Sequence, residues 1–121
     1  MLRFRPKTYK DSGEKYLQDE NALGYIAYDD NENECGFIVF YLNGYSMEIT
    51  EAEVFDGDAK TYEGLIRSAL NYGANRNAYI AFYSARKASD VAKMLGFESQ
   101  GDKLYGEIPF LLQGRCCKEN D

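Results

Sequence analysis

Apolar positions along this chain change spacing several times, and each change marks an element. Gly24-Tyr25-Ile26-Ala27-Tyr28 and Gly36-Phe37-Ile38-Val39-Phe40-Tyr41-Leu42 are dense runs of strand formers, separated by the solvated turn Asp29 to Glu34. Asn43-Gly44 tolerates positive φ and suits a tight primed hairpin turn, so a third strand returns antiparallel from Tyr45. On that strand Tyr45, Met47 and Ile49 alternate on one face, whereas Ala52 and Val54 continue in the opposite parity. A β-bulge near Thr50-Glu51 would return both sets to one face, and a strand half exposed after Ile49 accounts for the same pattern.

Asp56-Gly57-Asp58 breaks the strand, and Tyr62, Leu65, Ile66, Ala69, Leu70 and Gly73 then recur at steps of three and four, the spacing of an amphipathic helix. Asp58 or Thr61 caps its start, and Asn75-Arg76-Asn77 finishes it. Ala78-Tyr79-Ile80-Ala81-Phe82-Tyr83 reads as a central strand apolar on both faces. Ser84 caps a second helix with Ala85, Ala88, Val91, Ala92 and Leu95 on its buried line, and Gly96 stops it with Phe97 packing back. Glu98 to Lys103 is polar turn, and residues 104–112 form a last strand, with Pro109 at an edge, a bulge or the strand end. Residues 1–22 are a polar arm with room for a short strand at Leu2-Arg3-Phe4 and at most a short helix before Asn21. The expected class is α+β: an antiparallel β-meander, then α-β-α-β, a central mixed sheet flanked by helices. Residues 1–121 form one domain, with 1–22 as its arm and 113–121 as its tail.

Composition supports one core and narrows the chemistry. A chain of 121 residues, 45% hydrophobic and 28% charged, encloses a core without staples. Its net charge of -6 argues against nucleic acid and against an anionic membrane surface. With no histidine, Ser-His and Cys-His pairs and imidazole metal sites are excluded. Cys35, Cys116 and Cys117 are too few and wrongly spaced for a disulfide framework or a tetrahedral metal site, so they read as thiols in a reducing compartment. Met1 to Pro6 lacks the apolar run of a secretory signal, and no stretch is apolar enough to span a bilayer, so the expected location is the cytoplasm.

The order of elements, with Val91-Ala92-Lys93-Met94-Leu95-Gly96-Phe97-Glu98 as a helix end and Leu-Gly-Phe turn, resembles the GCN5-related N-acetyltransferase (GNAT) superfamily over residues 23–112. The chain would be a short, divergent member. The resemblance implies an acyl-CoA-dependent N-acetyltransferase in which a glycine-rich loop after the bulged strand wraps the pyrophosphate of acetyl-CoA with backbone N–H groups. By that likeness the cofactor residues are Val54, Gly57, Ala59, Lys60 and Thr61. The family's arginine or glutamine and its glycine spacing are missing from Asp56-Gly57-Asp58-Ala59-Lys60-Thr61-Tyr62, which has two acids instead. The loop therefore reads as degenerate. Glu51 and Glu53 occupy the strand where a family base occurs. The tyrosine that protonates the leaving thiolate lies four residues before the Leu-Gly-Phe glycine, where this chain has Ala92, so Tyr83 at the end of the preceding strand is the substitute, or simply a core residue.

Charge is polarised. Residues 29–59 carry nine carboxylates and no lysine or arginine, and residues 60–118 carry nine basic against five acidic side chains. That plate is either a solvated sheet face or an attractor for a cationic amine or a basic protein segment. Adjacent Cys116 and Cys117 read as free thiols or a closing turn. Three readings follow: an N-acetyltransferase with acetyl-CoA as cofactor and no metal, a non-catalytic ligand-binding or protein-interaction module on the same fold, and an unrelated α+β regulatory domain that dimerises through a sheet edge or exposed face and whose two middle strands do not splay apart; the oligomeric state is monomer or homodimer.

Overall fold

The structure, a computed structural model, describes residues 2–8 and 20–113. Seven strands form one mixed sheet: β1 (Arg3–Thr8), β2 (Leu23–Tyr28), β3 (Glu34–Asn43), β4 (Ser46–Val54), β5 (Ile80–Tyr83), β6 (Glu98–Gln100) and β7 (Lys103–Glu107). Their order is β1-β2-β3-β4-β5-β7-β6, and β4 with β5 is the parallel pair, joined by helix α1 (Ala59–Ala74). Parallel neighbours need such a crossover, whereas the antiparallel pairs close through shorter links. Helices α2 (Ser89–Leu95) and α3 (Ile108–Gln113) complete the described fold. The expected α+β class holds.

The meander forms as its pattern dictates. Asn43 faces Ser46 across a two-residue turn of Gly44 and Tyr45, in which Gly44 takes φ 63°. Tyr45 belongs to that turn and is 79% exposed, so it does not share a face with Met47 and Ile49 as its parity implied. Val39 pairs with Glu51 and Phe40 with Ile49, which makes Thr50 the extra residue of a bulge. Met47, Ile49, Ala52 and Val54 are consequently all buried, and Thr50 and Glu51 are both exposed. A second bulge, at Cys35, lies where Ala27 pairs with Gly36 and Tyr28 with Glu34.

All six apolar positions expected on α1 are buried. Asp58 is its cap, accepting from the N–H of Thr61 at 2.9 Å and from its hydroxyl at 2.8 Å. One core joins Ile38, Phe40, Met47 and Ile49 of the sheet to Leu65, Ile66 and Leu70 of α1, Val91 and Leu95 of α2, and Ile108 and Leu111 of α3. The three helices therefore cover one face. On the other face Ile80 and Phe82 stay half-buried, so β5 is central but fully covered on one side only, contrary to the two-faced reading.

Four further expectations are corrected. Helix α2 starts at Ser89 behind Ala88, which has left-handed backbone (φ 65°, ψ 25°), and Ser84 caps nothing because it lies five residues earlier. The stretch after Phe97 is a hairpin, β6 to β7, turning at Gly101 and Asp102 with Gln100 opposite Lys103. Residues 108–112 are helical, since Pro109 lacks the ladder donor but suits the first turn of a helix. The N-terminal strand extends through Thr8 and pairs with β2 along its length. The expected short helix before Asn21, over residues 9–19, and Cys116 with Cys117 lie outside the described residues.

Candidate active site

The parallel pairing of β4 with β5 runs from Ser46 opposite Ile80 to Ile49 opposite Tyr83, and it closes with the Ser84 N–H on the Ile49 carbonyl at 2.9 Å. Beyond that bond the strands part. Thr50 bulges out, β4 continues to Val54 against β3 alone, and the chain after Tyr83 turns away. Between them opens a groove of about 380 Å³, walled by residues 50–53 on one side and Ser84, Arg86 and Lys87 on the other. The third functional reading required these strands not to part, and they do.

The acidic wall faces the basic one. Glu53 Oε1 accepts from Lys87 Nζ at 2.6 Å, a bond that spans the groove and holds the Lys87 ammonium above the ordinary lysine range. Glu51 is exposed and has no partner among the described residues. Glu48, just before the bulge, accepts from the Ser84 hydroxyl at 2.6 Å and from Lys103 Nζ at 3.3 Å, and that ammonium stands 5.4 Å from the centre of the Phe82 ring.

Tyr83 does not line this groove. Its ring is buried on the helix side against Phe97, at 5.8 Å between centroids, and its hydroxyl donates to the Lys87 carbonyl at 2.6 Å. Burial, with Tyr62 and Asp90 nearby, raises its pKa well above the ordinary phenol range. The structure thus brings Glu51 and Glu53 together and ties Tyr83 to them only through the backbone of Lys87. A larger cavity of about 1000 Å³ lies at the opposite end of β5, where Tyr45, Tyr79 and Pro109 are among its walls, and among the described residues no carboxylate or amine lines it. Of these two cavities, the groove is the one walled by Glu51, Glu53 and Lys87.

The remaining candidates form the loop from β4 to α1. Val54 is buried at the strand end, Ala59 and Lys60 are exposed on the first helical turn, and Thr61 is buried beneath Asp58. Gly57 takes φ 75° and donates its N–H to Val54. Asp56 accepts from the Asp58 N–H at 3.0 Å, and Asp58 accepts from Thr61. These bonds, the Thr61 hydroxyl first, hold the Asp58 carboxyl below its usual range. The loop's carboxylates thus take the N–H groups of Asp58 and Thr61, and a pyrophosphate placed here would meet their negative charge.

Lys87 and Lys103 were not singled out from the sequence, and Ser84 was read only as a helix cap. The basic pair Arg86-Lys87 opposite an acidic strand was a visible signal, but its contact with Glu53 spans 34 positions and depends on the crossover. Among the described residues no group of three or more acids or cysteines is placed to hold a metal, and no helix is long and apolar enough to cross a membrane.

This arrangement of sheet, crossover and helices is the fold of the GCN5-related N-acetyltransferases. A mutant form of the spermidine/spermine N-acetyltransferase SpeG from Vibrio cholerae superposes with a TM-score of 0.70 at 15% identity, over 93% of this chain and 98% of its own. The spermidine N-acetyltransferase from Vibrio cholerae in complex with CoA and spermine gives 0.65 at 17% identity, over 78% and 70%. Tetrahymena GCN5 gives 0.53 at 12%, over 74% and 70%. At these identities the likeness is one of fold. No protein-family model matches the sequence, and no curated protein matches it.

Proposed function

We propose that this protein is an N-acetyltransferase acting on a cationic amine, with an acyl-CoA donor held without the usual grip on its pyrophosphate. The observation that carries this reading is the parting of β4 from β5 after Ile49, with Glu51 and Glu53 on one wall of the groove. A bound acyl-CoA would supply the acyl group. The chain's own contribution is electrostatic: Glu51 attracts an ammonium and accepts its proton, and Glu53 joins it when Lys87 is displaced. The neighbour solved with CoA and spermine makes a polyamine the first acceptor to try.

Millimolar acetyl-CoA should raise the melting temperature, and acetyl-CoA with spermidine should release free thiol faster than acetyl-CoA alone. Absence of both effects sinks the reading. A non-catalytic module is the second reading, favoured by the Asp56 and Asp58 carboxylates that occupy the loop's donors. It expects no acetyl-CoA shift, together with binding of a basic peptide that weakens as salt is added. Cytoplasmic location, one domain and a monomer or homodimer accompany both readings.

A further inference from the structure

Lys87 stands where the ammonium of a ligand would stand. Its Nζ lies 2.6 Å from Glu53 Oε1, across the groove of about 380 Å³ whose other wall carries Glu51 and Glu53. The residue is held from behind as well. Its carbonyl accepts from the Tyr83 hydroxyl at 2.6 Å, and the next residue, Ala88, has a left-handed backbone at the entry to α2. Arg86, on the same wall, has no carboxylate partner among the described residues. The acidic wall is therefore unequal: Glu53 is neutralised by the chain's own amine, while Glu51 is exposed and has no partner among the described residues. These two carboxylates lie two positions apart on β4, both on the groove, which sets them about 7 Å apart along the strand.

We propose that Lys87 is a specificity-determining residue of the groove: by competing for Glu53 it leaves one carboxylate open, and so suppresses the preference for diammonium over monoammonium ligands that two free carboxylates would give. The inference rests on the reading of the groove as a site for cationic amines, and it involves no acyl donor. A monoammonium ligand takes Glu51 and leaves the ion pair in place. A diammonium ligand reaches its second carboxylate only by exchanging its own ammonium for that of Lys87 on Glu53, so the number of ion pairs at Glu53 does not rise. Half-exposed pairs of this kind change an affinity by up to about fivefold, so Lys87 sets selectivity without shutting the groove.

The test titrates the whole chain at low salt with butylamine and with 1,4-diaminobutane, whose ammoniums stand about as far apart as the two carboxylates, and follows the backbone amide NMR shifts of residues 50–53. Lys87→Gln should raise the ratio of diamine to monoamine affinity by about threefold to fivefold. Lys87→Arg should keep the ratio of the unaltered chain. Arg86→Gln removes one charge from the same wall without freeing a carboxylate, and it should raise the ratio less than half as much. With Glu53→Gln in the background, Lys87→Gln should do no more than Arg86→Gln does. An unchanged ratio in Lys87→Gln, an equal rise in Arg86→Gln, or the same rise with Glu53→Gln present overturns the proposal. Melting curves check that each variant folds, and Lys87→Met replaces the glutamine variant should that one fail. Amine binding at residues 50–53 with a ratio that ignores Lys87 removes this inference alone, whereas no binding there of either amine to any of the chains removes it together with the reading of the groove as an amine site.

Discussion

The hydroxyl of Tyr83 donates to the carbonyl of Lys87, four residues further on, and so ties the last residue of β5 to the basic wall of the groove. Replacing Tyr83 by Phe should cost about 1–2 kcal/mol, the usual result of leaving a partly buried carbonyl without its donor. Denaturant unfolding measures it. The pH dependence is a sharper check. Tyr83 resists ionisation in the folded state, whereas an unfolded tyrosine ionises at about pH 10, so stability is full below that pH and falls as pH rises through it. Tyr25, also raised by burial, adds to the slope, and Tyr83→Phe should flatten it without removing it. Identical alkaline limbs would contradict the assignment.

Asp56→Asn should tighten CoA. The substitution removes one of two charges beside the loop and weakens the hold on the Asp58 N–H. A gain on the order of fivefold in Kd at low salt follows from removing one like charge a few ångströms away, and it should shrink at high salt. Calorimetric titration with CoA gives both numbers, and an unchanged Kd would mean that this carboxylate does not obstruct the donor.

Acid should destabilise the fold partly through Asp58. Its folded-state pKa is depressed by the donors of Thr61, so its contribution is complete above the unfolded value of about 4 and is lost as pH falls through the folded one. Asparagine keeps the cap but cannot titrate, so Asp58→Asn should lose less stability between pH 5 and pH 2, as bounds of roughly that window. Asp29, held down by the N–H groups of Asn33 and Asn31, keeps some acid dependence in the variant. Circular dichroism melts across that range provide the comparison.

Gly36→Ala and Gly73→Ala should differ although both are crowded. A Cβ on Gly36 would stand 2.7 Å from the backbone carbonyl of Glu53, which cannot yield without moving the strand. A Cβ on Gly73 would run into the Met47 sulfur, the far part of a flexible side chain. Overpacking at Gly36 should cost about 1–3 kcal/mol and at Gly73 less. Equal denaturation midpoints would show that β4 gives way as easily as a methionine.

The elements that depend on nearby residues were legible in the sequence. The parity change between Ile49 and Ala52 narrowed that strand to a bulge or a half-exposed end, and the cap to Asp58 or Thr61, because face and hydrogen bond are both decided within a turn of chain; the structure chooses the bulge and Asp58. Residues 108–112 were misread because Ile108, Phe110, Leu111 and Leu112 suit a strand or a buried helix equally, and what makes them helical is docking of Ile108 and Leu111 on the common core. At the site, Glu51 and Glu53 could be placed on a strand, but the lysine that meets Glu53 arrives by way of a helix and a further strand. Tyr83 could be placed at the strand end, while the side it faces is set by its register opposite Ile49.

Thr50 carries a consequence of a different kind. Without it, Ile49 would be followed directly by Glu51, the in-and-out alternation would run unbroken, and Ala52, Glu53 and Val54 would keep the sides they now have. The bulge is therefore not needed to seat any side chain. It is one residue of surplus length, and what that surplus accompanies is the separation of β4 from β5. A length change of one codon at this point would therefore leave every apolar residue of β4 on the core while altering how its end leaves β5.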